Sequence, residues 1–345
     1  MTNLPVIITV GIAFLMTAAM GFWVIPLMRK LKFGQTILEI GPRWHKSKQG
    51  TPTMGGVMFV IGITVGALAG LFMLLGGVGG VGYLIQQRDI LVLILGLVMA
   101  LGFGFIGFID DYIKVVKKQN LGLSERQKLI MQFVLAGVYI LALYLVDAVS
   151  TKVNIPFLFQ LDLGLAYYPL AIVGIVYIIN VANLTDGVDG LCTSVTFASA
   201  LGFLVIAGIL HNEGMAVMAA ALAGGALGFL VWNLHPAKIF MGDMGSMHLG
   251  GVIVALAFGL DIPVFLIFLG LIYILEGLSV LIQRYYFKYT RKKYGEGRRI
   301  FKMSPIHHHF EMSGWNENKI VAVFTLAQLT ASAVAILAAI NFYRI

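Results

Sequence analysis

Charge is scarce in this chain: only 12% of its 345 residues are Asp, Glu, Lys or Arg. Soluble domains carry roughly a quarter, so composition excludes a protein that stays dispersed in water by its polar surface. Cysteine is almost absent, and the single Cys192 excludes an internal disulfide. Gln283–Lys302 mixes aromatics with Arg and Lys as a membrane-interface segment does, and no aromatic-basic module of a nucleic-acid reader is present. The formal charge of +8 therefore needs an explanation other than DNA or RNA. No internal repeat is evident, and no soluble domain fits between the apolar runs.

What fills the chain is hydrocarbon. Apolar residues make up 59% of it and the mean hydropathy is +0.91. A bilayer core takes about 20 apolar residues per helix. Ten runs are candidate spans, at residues 4–28, 54–75, 90–109, 129–146, 166–182, 191–210, 215–232, 246–260, 262–282 and 320–342, the eighth of them short. The fold class predicted is an all-α polytopic membrane protein, one integral domain over residues 1–345. The first run is too long and too poorly flanked for a cleavable signal and reads as a retained helix. With ten spans both termini share a side. The loops 29–53, 110–128, 183–190, 233–245 and 283–319 then share the other and hold 21 of the 24 Lys and Arg. The positive-inside rule puts those loops in the cytoplasm and both termini outside. The net charge then reflects topology and contact with anionic lipid. Outside, Thr151–Leu165 reads as a short hairpin punctuated by Pro156 and Gly164.

The inner loops are unusual beside transmembrane helices. Asp110 and Asp111 close the third run. Neighbours on a helix point about 100° apart, so the two carboxylates need not share a job. A solvated helix end is the plain alternative. Asn183–Gly190 (NLTDGVDG) offers Asp186 and Asp189, on one face if the turn is helical. Asn180, Asn183 and Thr185 add neutral donors and acceptors, and the start of the sixth span can take an anion. A capped turn with Asp189 as N-cap is the bland reading. Gly242–Ser246 (GDMGS) repeats the logic, with Asp243 as a metal ligand, Ser246 as N-cap and Phe240 stacking on a planar ring; an ordinary capped turn is the alternative. His307, His308 and His309 cannot all bind one ion comfortably. Imidazoles near pKa 6.5 suit phosphate contact and proton handling better than zinc. Lys48 and the hydroxyls of Thr51 and Thr53 can hold a phosphate, while Gly55 and Gly56 permit tight helix packing. Glu276 lies inside the ninth run, where a carboxylate is expensive; function and a buried structural hydrogen bond are equal readings.

Taken together, TPTMGG at Thr51–Gly56, FIDD at Phe108–Asp111, NLTDGVDG, FMGDMGS at Phe240–Ser246 and PIHHHFE at Pro305–Glu311 closely resemble the MraY family. Those are the phospho-N-acetylmuramoyl-pentapeptide transferases, within the polyprenyl-phosphate N-acetylhexosamine-1-phosphate transferases. The resemblance spans essentially the whole chain. It implies transfer of phospho-MurNAc-pentapeptide from UDP-MurNAc-pentapeptide to undecaprenyl phosphate, giving lipid I and UMP, with Mg²⁺. It implies a homodimer in the bacterial cytoplasmic membrane, with the site facing the cytoplasm. By resemblance, Asp243 is the magnesium ligand with Asp186 as a second, and Asp110, Asp111, Asp243, His307 and His308 are catalytic. Lys48, Thr53, Asn180, Asn183, Asp186, Asp189, Phe240 and His309 bind substrate. A related transferase using UDP-GlcNAc is the runner-up, and the triple histidine argues against it. A transporter would place its polar groups near the midplane, not at the inner boundary.

Overall fold

In a computed structural model the structure describes residues 4–31, 48, 50–77, 86–116 and 122–343. Outside them lie residues 32–47 and 49 of the first basic loop, 78–85 after the second run, and 117–121 of the second basic loop.

The described chain is helical apart from one small hairpin. The helices are α1 (Leu4–Lys30), α2 (Gly56–Leu75), α3 (Gln87–Val116), α4 (Glu125–Leu145), α5 (Tyr167–Thr185), α6 (Leu191–Ile209), α7 (Glu213–Asn233) and α8 (Gly242–Gly259). They are followed by α9 (Leu266–Leu269), α10 (Leu271–Tyr294), α11 (Ile306–Glu311) and α12 (Glu317–Tyr343). Local chemistry starts several of them. Ser124 and Gln127 form a reciprocal capping box on α4, and Asn212 caps α7 through Met215 N–H. The expected hairpin is present: β1 (Lys152–Asn154) pairs antiparallel with β2 (Gln160–Asp162), Val153 opposite Leu161.

Among the described residues eight helices are long and apolar enough to cross a bilayer, and nine if a bent pair counts as one span. The ninth expected run is that bent pair. Pro263–Leu269 and Leu271–Tyr294 meet at 85°, and the break exposes backbone groups that hydrocarbon cannot satisfy. Gln328 of α12 repairs it. Its Nε2 donates to Phe268 O at 3.0 Å and its Oε1 accepts from Ile272 N–H at 3.2 Å. The eighth run, α8, begins four residues earlier than expected and is buried over most of its length.

At the centre lies α7, nearly all of it buried and built largely from Ala and Gly. Small residues let α1, α2 and α6 approach its backbone, the usual geometry of helix contact in lipid. Likewise α8 sits between α3 and α5. The tight packing expected at Gly56 is real: a Cβ there would lie 2.5 Å from Gly245 Cα, which brings the starts of α2 and α8 together. The hairpin and the end of α12 share one end of the bundle, tied by Asn154 Nδ2 donating to Tyr343 Oη at 2.7 Å. The ends of α3 and α5 and the starts of α8 and α12 share the other.

Candidate active site

Two charged clusters form at that second end. The first joins α3 to α8. Asp110, Asp111 and Asp243 each offer a carboxylate oxygen, all within 4.8 Å of one another. Three such charges in a shielded place repel strongly, and two lysines offset them. Lys114 Nζ lies 2.5 Å from Asp110 Oδ2, 3.0 Å from Asp243 Oδ2 and 3.8 Å from Asp111 Oδ1. Lys128 Nζ reaches Asp243 Oδ2 at 2.8 Å. Asn183 Nδ2 donates to Asp243 Oδ1 at 2.9 Å and to Ser246 Oγ at 2.8 Å.

The paired acids do diverge. Asp110 Oδ1 accepts Leu123 N–H at 2.9 Å and so holds the start of the α4 connection. Asp111 Oδ2 accepts Met244 N–H at 3.1 Å and so holds α8. The approach depends on Gly242, whose φ is +71°. A Cβ there would lie 2.5 Å from Asp111 Oδ2 and 3.2 Å from Thr53 Oγ1. That contact also puts Thr53 beside the acidic cluster.

Four local expectations are corrected. Asp110 and Asp111 do not end their helix; α3 runs on to Val116, because Lys114 one turn later compensates Asp110. Ser246 is not an N-cap; it lies inside α8 and its hydroxyl bonds back to Gly242 O at 3.2 Å. The Asn183–Gly190 segment is not helical beyond Thr185, so Asp186 and Asp189 do not share a face. Nor is the first turn of α6 an open anion site, since Leu191 to Ser194 are buried.

Asp189 belongs to the second cluster. Its Oδ1 takes Lys48 Nζ at 2.7 Å, and its Oδ2 takes Ala237 N–H and His235 Nδ1, each at 3.0 Å. Glu317 Oε2 takes the same Lys48 Nζ at 2.7 Å and also Asp189 N–H at 3.1 Å. Burial pulls the Lys48 ammonium down, but the bonds and charges of Asp189 and Glu317 outweigh it and leave its pKa above the usual lysine value. Thus the cation expected to meet a phosphate is already paired with two carboxylates. Asp186 lies between the clusters. Removal from water, then the like charges of Asp243, Asp111 and Asp189, push its pKa well above the ordinary carboxylate range. It is not one of the three convergent carboxylates.

The histidines go to three partners. His307 Nδ1 sits 3.0 Å from Glu276 Oε2, both side chains fully buried. His308 Nδ1 meets Glu311 Oε2 at 2.5 Å. His309 Nδ1 accepts Lys302 N–H at 3.1 Å. His307 also lies against the acidic loop: a Cβ on Gly187 would fall 2.3 Å from its Nε2. Asn180 turns away and pairs with Gln132 at 2.7 Å. Phe240 is fixed by its backbone, N–H to Pro52 O at 2.9 Å and O to Gly55 N–H at 2.8 Å, which joins the TPTMGG segment to the start of α8.

Lys114, Lys128 and Glu317 escaped the sequence reading. A basic residue in an inner loop carries no signal against a basic background. Only the i, i+4 spacing of Asp110 and Lys114 was there to be read.

Comparison with known proteins agrees with the geometry. Residues 90–261 match the model of Glycosyl transferase family 4. Residues 48–60 match signature 1 of the phospho-N-acetylmuramoyl-pentapeptide-transferases. Proteins of that name are 43% identical over 336 residues in Desulforamulus reducens, covering 96% of this chain and 95% of the relative. In Halalkalibacterium halodurans the identity is 45%, with 96% of each chain covered. In Heliobacterium modesticaldum it is 45%, covering 95% of this chain and 97% of the relative. With the converged acidic end, the membrane-spanning bundle and identity of this extent, the chain belongs to the phospho-N-acetylmuramoyl-pentapeptide-transferase family.

Proposed function

We propose that this protein transfers phospho-MurNAc-pentapeptide from UDP-MurNAc-pentapeptide to undecaprenyl phosphate, yielding lipid I and UMP, at the cytoplasmic face of a bacterial inner membrane. The observation that carries the reading is the convergence of Asp110, Asp111 and Asp243 with Lys114 and Lys128 at one end of a membrane bundle. A lipid phosphate and a nucleotide diphosphate both arrive negatively charged, so the site must offer cations on a carboxylate frame. The end of the bundle lets a lipid-anchored phosphate meet a water-borne nucleotide.

The donor set fits a magnesium ion, since the three convergent side chains offer oxygen alone. Asp243, Asp110 and Asp111 would hold it, with Asp186 at the edge of the same field. When bound, the ion offsets charge on the phosphates as the bond between them is exchanged. Lys114 and Lys128 supply fixed positive charge on the same carboxylates. Asn183 orients Asp243. An oxygen of the lipid phosphate bonds to the phosphorus that carries the sugar, the diphosphate bond breaks, and UMP leaves with its electron pair. A phosphate monoester has a second pKa near 6, so the lipid phosphate needs no strong base. Lys48, Thr53, Asp189, Phe240 and the histidines form the substrate walls. The protein acts as a homodimer, as family membership suggests.

UMP release from purified protein in detergent tests this, with UDP-MurNAc-pentapeptide, undecaprenyl phosphate and Mg²⁺ supplied. Release should stop with chelator and return with added Mg²⁺. No release under those conditions would overturn the reading. Efficient use of UDP-GlcNAc would move the protein to the related transferases.

A further inference from the structure

We propose that Glu317 is a positioning residue for the nucleotide substrate, acting through Lys48 and Asp189. An acid in the first turn of a helix is ordinarily explained by the helix dipole. Here that work has another agent: Asn316 Oδ1 accepts Lys319 N–H at 2.8 Å and caps α12. The Glu317 carboxylate is turned across the bundle instead. One oxygen serves both Lys48 Nζ at 2.7 Å and Asp189 N–H at 3.1 Å, with His235 Nδ1 at 3.7 Å. The group is 9% exposed, so its bonds are charge-assisted and poorly screened.

Three separate segments therefore meet on one carboxylate: the TPTMGG approach, the NLTDGVDG loop and the start of α12. Lys48 is held from two sides, by Asp189 and by Glu317. Without Glu317 it has one anchor on a long, flexible stem, and Asp189 N–H loses its acceptor in a buried place. The raised Lys48 pKa agrees with a doubly paired ammonium. Glu317 touches no reacting atom in this scheme. Its effect is on where Lys48 and the Asp186–Asp189 turn stand when the nucleotide enters.

The inference rests on the transferase reading for its kinetic arm. Glu317→Gln keeps an oxygen for Asp189 N–H and removes the charge on Lys48. Both Glu317→Gln and Glu317→Ala should raise KM for UDP-MurNAc-pentapeptide about tenfold, with kcat falling by less than about threefold. Added to Lys48→Met, Glu317→Gln should cost little more, because the two act as one unit. Losses that multiply in the double variant, or a fall in kcat with KM unchanged, would overturn the proposal. A second arm needs no turnover. Hydrogen exchange across Asn183–Gly190 should quicken in Glu317→Ala and stay near the parent rate in Glu317→Gln. Unchanged exchange in Glu317→Ala, whether or not the protein releases UMP, would show that Glu317 does not hold the loop.

Discussion

At the residue scale, Asp243 carries the most. It accepts from Lys114, Lys128 and Asn183, so Asp243→Asn removes the charge that two lysines answer and one oxygen of the candidate metal set. Turnover should fall by at least about 10³-fold, comparable to loss of a main electrostatic contact, while thermal unfolding in detergent still shows a folded protein. Substantial UMP release by the folded variant would sink the assignment. Asp110 and Asp111 should then separate. Asp110→Asn weakens its bond to Lys114 and the α4 connection, whereas Asp111→Asn disturbs the start of α8, beside Asp243. Both lose turnover, and calorimetric titration with the nucleotide substrate should give different residual affinities. Equal losses in both would count against distinct roles.

Asp261 gives a residue prediction far from the site. It lies in the turn after α8 with φ +56°, a left-handed conformation that Asn tolerates well. Burial pushes its pKa up to about 6. The folded protein thus binds this proton more tightly than the unfolded chain between the ordinary 3.8 and about 6. Its contribution to stability is best at low pH and is lost as pH rises through about 6. Asp261→Asn removes that loss, so it should stabilise the protein by of order 1 kcal/mol near pH 7.5 and by about half as much near pH 5, after allowing for partial exposure. Melting curves at the two pH values check the sign, and an equal gain at both would refute it.

At the element scale, the bend between α9 and α10 is the feature with most at stake. Gln328 answers both an N–H and a C=O across the break. Gln328→Leu leaves two buried backbone groups without partners, each worth about 1–3 kcal/mol. The variant should melt several degrees lower. A melt unchanged in Gln328→Leu would mean the bend is held elsewhere. The same bend carries Glu276 to His307, which links α10 to the histidine segment. Glu276, ambiguous as one carboxylate in an apolar run, gains a partner only when α10 folds back beside α11.

For the whole molecule, the contested property is orientation. Cys192 is buried, so the native chain offers a quiet background for introduced thiols. Leu158 in the hairpin connection is 71% exposed, and Glu296 lies in the exposed turn after α10. Leu158→Cys should react with an impermeant maleimide in intact cells. Glu296→Cys should react only after the inner membrane is opened. The reverse pattern would overturn the inside placement of the acidic end.

The helical membrane class and the approximate place of most helices were legible in the sequence, because hydrocarbon length and the scarcity of charge leave few other solutions. The hairpin at Thr151–Leu165 and the tight approach at Gly56 were legible for the same reason: their signals are local. Tertiary structure decided how the polar groups divide. It sent Asp110, Asp111 and Asp243 to one cluster and Asp189 to another, and it kept Asp186 between them. It also gave three adjacent histidines three partners and bound Lys48 to two carboxylates. The two charged clusters are closed by contacts between segments more than a hundred residues apart, as between Lys48 and Glu317 or Lys128 and Asp243. Periodicity reports which face of a helix seeks hydrocarbon. It carries no information about which distant charge will answer a buried one, and that is fixed only when the helices close together.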